Sequence, residues 1–600
     1  MKNLLLIVTL PLVLAACATA PAPRASAPAA TVVASAPGSD VESRAAARRV
    51  AAKPGMPKQE DPVPALELNE DLLYRLLVAE LAFQRGDWQT GYVTMLSVAQ
   101  QTRDPRVARR AAEMALSAKR PDEALAAVRL WRTLAPNSDE AAQYYLSFVI
   151  LSDKLDEARP ILEQRLQEAR PQTRNLMIFQ IQRLLSRAKD KAGAFTVLEQ
   201  VLAPYMNLPE AHLALAQSAY ANGDNTRAHE EARIALEAKP DSELAALTLA
   251  QVSASKEEAA KSLEDFLARH PQAREVRTAY ARLLVDQRRY VKARAEFEKL
   301  LVEQPQDLTT LFALGVLNTQ LNDGKAAEKY LSTYLEVLAG QPEEDRDPAQ
   351  ALMLLAQLAE ERKDSEAALK WLAQIEPGEN YLAAQVKSAQ ILAKRGNIAQ
   401  ARKLLHEIEA PSEREQTQIA AAEGYILRDA GKLPEALAVL KAATERFPNN
   451  TDLLYDYAMV AEKSNQLEVM ETALRKIMKL APDNQHAYNA LGYSLAERNV
   501  RLDEAYALIE KALQLAPEDP FILDSMGWVQ FRLGRLKEAE VLLRRAYEIR
   551  PDAEIATHLG EVLWVKGQRE DAQKLWRDAQ SKDPQNDTLK STLARLNVSL

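Results

Sequence analysis

Small, apolar and polar residues recur in the same order along most of the chain. From about residue 70 onward the pattern returns at a spacing near 34 residues, a period typical of repeats built from two helices. Ala, Leu, Glu, Lys, Arg and Gln dominate the composition, aromatic residues make up 6%, and only 18 glycines are present. These residue types favour helices over strands. The sequence therefore predicts an all-α protein with about fifteen helix pairs between Leu72 and Asn586.

Three small residues and a proline hold fixed positions in the clearest repeats, and the other repeats keep only part of the set. The first small residue lies midway along the first helix, called helix A here, and the second opens the second helix, helix B. The third lies further along helix B and faces the next repeat. Proline ends helix B because the residue before it is pushed out of the α region. The clearest sets are Gly424, Ala436, Ala443 and Pro448; Gly527, Ala539, Ala546 and Pro551; and Gly560, Ala572, Ala579 and Pro584.

The predicted turns are regular apart from three places. Helix A ends at Gly86-Asp87, Gly223-Asp224 and Gly534-Arg535, where glycine suits the left-handed conformation of a helix C-terminus. The turn at residues 253–256 is shortened, and one extra residue lies near Val500. The longer connector at residues 340–348 is the best internal break. It is consistent with a hinge or with a protruding acidic loop, and the loop is favoured.

The small residues and proline at these offsets resemble the tetratricopeptide repeat. The resemblance covers residues 65–600 and implies a right-handed superhelical solenoid whose helices A line a concave groove. Residues 588–596 predict a final helix that places Leu589, Leu593 and Leu596 on one face, with Lys590 and Arg595 off it. Such a helix covers the last hydrophobic pair, as the terminal element of a solenoid must.

The N-terminal residues predict export and lipid attachment. Lys2 precedes an apolar stretch, Leu4 to Leu14, which is too short to span a bilayer, so residues 1–16 are predicted to be a signal peptide. The sequence Leu14-Ala15-Ala16-Cys17 resembles the lipobox of bacterial lipoproteins, and Cys17 is the only cysteine. This resemblance implies acylation of Cys17 and, with Ala18 after it, an address at the outer membrane facing the periplasm. Residues 17–64, rich in Ala and Pro, are predicted to form a disordered tether.

Composition and motifs argue against catalysis, metal binding and nucleic-acid binding. The net charge of −8 is modest, and basic residues are interspersed with acidic ones, so nucleic acid is not an expected partner. No nucleophile motif or phosphate-binding glycine loop is present, and no enzyme activity or cofactor is expected. Metal-ligand spacing is absent from the six histidines, His212, His229, His270, His406, His486 and His558.

The inner face of the C-terminal repeats is the predicted protein-binding site. In tetratricopeptide arrays the second, fifth, ninth, twelfth and thirteenth positions of helix A usually meet the ligand. An alternative interpretation is that the rings of Trp528, Phe531 and Trp564 pack between neighbouring helices. The residues that the resemblance assigns to binding, between about residues 485 and 586, are His486, Asn489, Tyr493, Glu497, Phe521, Asp524, Trp528, Phe531, Arg532, Glu561 and Trp564.

The segments 490–493, 524–528 and 558–564 resemble long proteobacterial tetratricopeptide lipoproteins of the LbcA group. That resemblance implies a non-catalytic adaptor that recruits a periplasmic carboxy-terminal processing protease, its peptidoglycan-hydrolase substrates, or both. The alternative is a structural part of an envelope machine for pilus, polysaccharide or outer-membrane protein assembly.

Overall fold

The protein is built from helices that follow one another in pairs. The structure, a computed structural model, describes residue 64 and residues 67–152, 154–341 and 346–600. These ranges contain 31 α-helices and no strand, and consecutive helices pack as pairs. The predicted all-α fold with about fifteen helix pairs is confirmed. The predicted signal peptide, Cys17 and almost all of the predicted tether lie outside the described residues.

Contacts divide the described chain into two compact units, one ending at Thr310 and the other beginning at Leu311. In each pair the odd-numbered helix is helix A and the even-numbered helix is helix B. The N-terminal unit contains α1 (Glu70–Gln84), α2 (Trp88–Thr102), α3 (Pro105–Ser117), α4 (Pro121–Leu134), α5 (Asp139–Leu151), α6 (Leu155–Glu168), α7 (Pro171–Leu185), α8 (Lys191–Leu202), α9 (Pro209–Ala221), α10 (Asn225–Ala238), α11 (Glu243–Val252), α12 (Lys256–Arg269), α13 (Arg274–Asp286) and α14 (Tyr290–Glu303).

The division falls within α15 (Leu308–Gln320), and the C-terminal unit holds the remaining helices. They are α16 (Gly324–Ala339), α17 (Ala349–Glu361), α18 (Ser365–Leu372), α19 (Tyr381–Lys394), α20 (Ile398–His406), α21 (Glu413–Asp429), α22 (Leu433–Arg446), α23 (Thr451–Lys463), α24 (Leu467–Leu480), α25 (Gln485–Glu497), α26 (Leu502–Leu515), α27 (Pro520–Arg532), α28 (Leu536–Ile549), α29 (Ala553–Val565), α30 (Arg569–Lys582) and α31 (Asp587–Leu596).

Helix A and helix B approach closely where helix A carries a glycine. A Cβ atom added to Gly527 on α27 would lie 2.6 Å from Cγ of Leu543 and 3.3 Å from the carbonyl oxygen of Ala539. Ala546, further along α28, is fully buried and packs against Ile555 of the next helix A. Close packing leaves no room for larger side chains at such positions. The other helix-A glycines of this kind in the C-terminal unit, with their helix-B neighbours, are Gly315 with Leu331, Gly424 with Leu440, Gly492 with Ile509 and Gly560 with Trp576.

Turn geometry follows the predicted turn residues. Gly86, Gly223 and Gly534 have φ angles of 89°, 82° and 79°, so the left-handed helix ends predicted there are confirmed. The extra residue near Val500 is flanked by Asn499 and Arg501, both left-handed. The shortened turn at residues 253–256 leaves α11 with 10 residues. Residues 342–345 of the connector lie outside the described residues, and the predicted break at residues 340–348 stays a prediction.

Helix α31 closes the C-terminal unit, as predicted. Leu589 is 2% exposed, and Leu593 and Leu596 pack against the core formed by α29 and α30. In the part of the chain that the structure describes, no helix has the length and apolar content needed to cross a membrane.

Candidate functional site

Helices α25, α27 and α29 lie side by side in the C-terminal unit, since α27 contacts both of its helix-A neighbours. Each begins with a side-chain cap, which fixes where its inner positions fall along the helix. Asn484 accepts a hydrogen bond from the backbone N–H of Ala487 at 3.0 Å, and Asp519 accepts one from the N–H of Phe521 at 2.9 Å. The side chains discussed below are therefore carried by three well-defined helices.

A buried ion pair joins α27 to α29. Nδ1 of His558 donates to the two carboxylate oxygens of Asp524 at 3.0 and 2.9 Å, and the side chains are 1% and 8% exposed. Burial by itself would lower the pKa of His558. The charge of Asp524, its hydrogen bond and the carboxylates of Glu554 and Glu497 outweigh burial and raise the pKa to about 9. His558 is therefore a buried cation at neutral pH.

Trp528 extends this network to α25. Its ring stacks on the imidazole of His558 with ring centres 4.2 Å apart, and its Nε1 donates to Oε2 of Glu497 at 2.7 Å. Phe531 lies next to the indole, with ring centres 5.1 Å apart. Trp528 is only 2% exposed, whereas Glu497 is exposed. The indole thus serves as internal packing that holds a surface carboxylate in place.

Tyr493 bridges α25 and α29 across α27. Its hydroxyl lies 3.4 Å from Oε1 of Glu554 and 3.4 Å from Nε2 of His558. Burial, together with the neighbouring carboxylates, raises the pKa of Tyr493 well above its ordinary value, and burial raises the pKa of Glu554. A tyrosine that contacts a helix two repeats away ties three successive repeats together.

A second ion pair, in which Glu561 is buried and Arg595 is half exposed, joins α29 to the final helix. Arg595 donates to both carboxylate oxygens of Glu561 at 2.8 and 2.7 Å, and Glu561 is 2% exposed. The hydrogen bond and charge of Glu561 raise the pKa of Arg595. Trp564, half-buried, lies with its ring centre 5.6 Å from that of Trp576 and under the guanidinium of Arg569 at 5.0 Å.

The eleven predicted binding residues divide by their exposure. Asp524, Trp528 and Glu561 are buried and engaged inside the unit, which favours the packing interpretation for Trp528. Phe521 is 42% exposed, with the guanidinium of Arg550 lying 4.9 Å from its ring centre. Binding of a partner by these eleven residues stays a prediction. Only the accessible ones among them are placed to contact a partner directly. His486 and Glu497 are exposed, and the half-buried residues are Asn489, Tyr493, Phe531, Arg532 and Trp564.

Three side chains of this network, Glu554, His558 and Arg595, are not among the predicted binding residues. Glu554 occupies the second position of its helix A, so the tetratricopeptide positions applied to every repeat would have found it. In the sequence, His558 stands among the histidines without metal-ligand spacing and in the segment 558–564, and Arg595 lies off the apolar face of α31. The residues around His558 and Arg595 in the sequence do not indicate their ion pairs, because each partner lies 34 residues away. Among the described residues, no group of three or more His, Cys, Asp or Glu side chains is arranged to hold a metal ion.

Family comparisons agree with this architecture. Two family models, both described as tetratricopeptide repeat, match residues 427–492 and residues 213–258, 255–308 and 281–343. The chain is 34% identical over 519 residues to TPR repeat-containing protein PA4667 of Pseudomonas aeruginosa, covering 82% of both chains.

Two other similarities cover smaller parts of the chain. Human protein O-mannosyl-transferase TMTC1 is 26% identical over 191 residues, which are 30% of this chain and 21% of the human protein. The crystal structure of a tetratricopeptide repeat protein from Parabacteroides merdae is 14% identical, with a TM-score of 0.33, and covers 41% of this chain and 97% of its own. Arrays of tetratricopeptide repeats are scaffolds for protein–protein interaction. On its repeats and its similarity to the Pseudomonas protein, the chain belongs to the tetratricopeptide-repeat family.

Proposed function

We propose that this protein is a non-catalytic adaptor, anchored to the outer membrane by lipid on Cys17, that brings a periplasmic carboxy-terminal processing protease to its peptidoglycan-hydrolase substrates. The lipobox resemblance at residues 14–17 supports the anchor, and the C-terminal segments that resemble the LbcA group support the partner. The family relationship to the Pseudomonas tetratricopeptide-repeat protein is consistent with a scaffold role.

One observation carries the proposal: the accessible side chains of α25, α27 and α29 stand on a buried frame of hydrogen bonds and stacked rings. Glu497 accepts a hydrogen bond from buried Trp528, which stacks on buried His558. Phe521 projects from the same helix as Trp528 and is 42% exposed. Surface groups held by such a frame lose little freedom when a partner binds, so a moderate contact area suffices for useful affinity.

Tethering explains how binding without chemistry would increase proteolysis. A protease and its substrate held on one array meet at an effective concentration set by the geometry of the array rather than by their bulk concentrations. The lipid would further confine both to the membrane surface. The adaptor then needs no catalytic group of its own.

Affinity capture from detergent-solubilised envelopes tests this function. Wild-type protein should recover the protease, and a variant that combines His486→Ala, Glu497→Gln and Phe521→Ala should recover much less. A matched control changes exposed residues on helix B of the same region, Glu538→Gln and Val541→Ala, and should recover as much as the wild type. Recovery of a channel or pilus protein without any protease would favour the envelope-machine alternative and overturn the adaptor.

A further inference from the structure

Partly buried carboxylates on helices B of the C-terminal unit are neutralised by basic side chains. On α24, Glu471 pairs with Arg475 at 2.8 Å and with Arg501 at 2.5 Å. These partners lower the pKa of Glu471 to about 2. On α28, Glu540 pairs with Arg544 at 2.8 Å and also with Lys566. Where this protein partly buries a carboxylate on helix B, it supplies a cation.

Three carboxylates on helices A of the same unit depart from that rule, whereas Glu360, Glu423 and Glu561, also on helices A, follow it. Among the described residues, no lysine or arginine nitrogen lies within 4.0 Å of the carboxylates of Asp456, Glu497 or Glu554. Asp456 accepts a hydrogen bond from the hydroxyl of Tyr425, and Glu497 one from Trp528. The cation nearest to Glu497 and Glu554 is His558, which already pairs with Asp524, so one positive charge is shared among three carboxylates.

The basic groups nearest to these carboxylates have other partners. Arg428 lies 4.6 Å from the ring centre of Tyr425 and pairs with Asp429 at 2.8 Å. His558 pairs with Asp524, and Arg595 is bound to Glu561 by two hydrogen bonds. The carboxylates therefore outnumber the basic groups around them, and the excess negative charge is available to an incoming cation.

Aromatic rings accompany these three carboxylates. The residue that follows the helix-A glycine is Tyr425 on α21, Tyr493 on α25 and Trp528 on α27. On α23 the ring is supplied by Tyr455, next to Asp456. Tyr425 is 39% exposed, and Tyr455 and Tyr493 are half-buried. A ring face beside a carboxylate is an arrangement that attracts lysine and arginine side chains through both charge and the ring quadrupole.

We propose that this ring–carboxylate surface binds a basic polypeptide segment of the partner. Lysine or arginine side chains of the segment lie against the rings and pair with the carboxylates. The inference rests on the proposed function, because it specifies the chemistry of the segment through which a protein partner is held. The ring–carboxylate surface consists of Tyr425, Tyr455, Asp456, Tyr493, Glu497 and Glu554.

Fluorescence anisotropy of the full-length chain with two short labelled peptides tests this surface. One peptide is composed of lysine, glycine and serine, and in the other each lysine is replaced by glutamate. The lysine peptide should bind and the glutamate peptide should not. Changing Asp456→Asn, Glu497→Gln and Glu554→Gln together should weaken lysine-peptide binding by about tenfold, since three partly exposed pairs are lost.

A matched variant separates this surface from the general attraction of an acidic protein. Glu468→Gln, Glu538→Gln and Glu570→Gln remove three exposed charges from helices B and should leave binding unchanged. Equal weakening by both triple variants, or no binding of the lysine peptide, would overturn the proposal. Tyr425→Phe keeps the ring and should retain binding, whereas Tyr425→Leu should lose part of it; equal binding by the two would exclude a role for that ring.

Peptide binding and envelope capture test two separate proposals, so either proposal can be wrong while the other stands. If the lysine peptide does not bind while the protease is still recovered from envelopes, the adaptor stands and only the basic segment is wrong. If the peptide binds as expected and no protease is recovered, the surface stands and the adaptor function is wrong.

Discussion

The indole ring of Trp528 lies flat on the imidazole of His558, with the planes 22° apart, and both side chains are almost completely buried. Replacing Trp528 by alanine removes this stack and the hydrogen bond to Glu497. We expect the C-terminal unit to lose about 3–5 kcal/mol of stability, seen as a lower urea midpoint by circular dichroism. Phe521→Ala, on the same helix but 42% exposed, should lose about 1 kcal/mol or less. Equal losses would contradict internal packing of the tryptophan.

The pair of His558 and Asp524 predicts a dependence of stability on pH. The pKa of His558 is about 9 in the folded chain, against an ordinary value of 6.5. Because folding raises this pKa, the charged ring contributes fully below pH 6.5 and its contribution is lost as pH rises through 9. The expected loss is on the order of 3 kcal/mol, measured by urea unfolding across that range. Asp524→Asn should flatten the decline, and an unchanged slope would assign it to another group.

The ion pair of Arg595 and Glu561 predicts a rescue. Arg595→Ala leaves the buried carboxylate of Glu561 without a cation and should cost about 2–3 kcal/mol, somewhat less than a fully buried pair because Arg595 itself is half exposed. Adding Glu561→Gln to Arg595→Ala should restore much of that loss, since no buried charge remains. Additive losses in thermal unfolding of the double variant would show that the two residues are not coupled.

Gly527 predicts a steric limit at the centre of its repeat. In Gly527→Leu the new side chain meets Leu543 on α28, where even a Cβ atom would lie at 2.6 Å. Overpacking of this kind costs about 1–3 kcal/mol or more and should lower the thermal midpoint. Lys537→Leu, an equally apolar change at an exposed position of α28, should have little effect. Unchanged stability of Gly527→Leu would contradict the register of the repeat.

Cys17 predicts where the protein is found in the cell. Cys17→Ser should abolish incorporation of labelled palmitate and release the exported protein from outer-membrane fractions, because the acyl chains are its proposed anchor. Fractionation with immunoblotting measures both. Continued attachment of the processed variant to outer membranes would overturn the lipid anchor.

The repeat fold could be predicted because its determinants lie close together in sequence. Gly527 and Ala539 are separated by one turn and parts of two helices, so a fixed offset carries their contact. Gly534 marks the turn between them by its left-handed φ of 79°. Local spacing of this kind repeats along the chain and survives in degenerate repeats.

The site could be predicted only in outline, because its contacts join separate repeats. Tyr493 and Glu554 are 61 residues apart, and nothing in the local pattern of either helix specifies that they meet. From the sequence, Trp528 could pack inside the protein or bind a partner. Its burial depends on His558 and Glu497, which lie on two neighbouring helices. The sequence places Arg595 off the apolar face of α31. In the structure its guanidinium donates a hydrogen bond to the buried carboxylate of Glu561.

The reach of Tyr493 over α27 to Glu554 and His558 changes how this end of the array should unfold. Solenoids in which each repeat contacts only its neighbours fray progressively from their termini, since every interface breaks on its own. Here one tyrosine is shared by the first and third of three successive pairs, so loosening the last pair also withdraws contacts from the first. We expect the amide protons of α25, α27 and α29 to exchange with solvent at similar rates, as one cooperative block and not in a gradient toward the C-terminus.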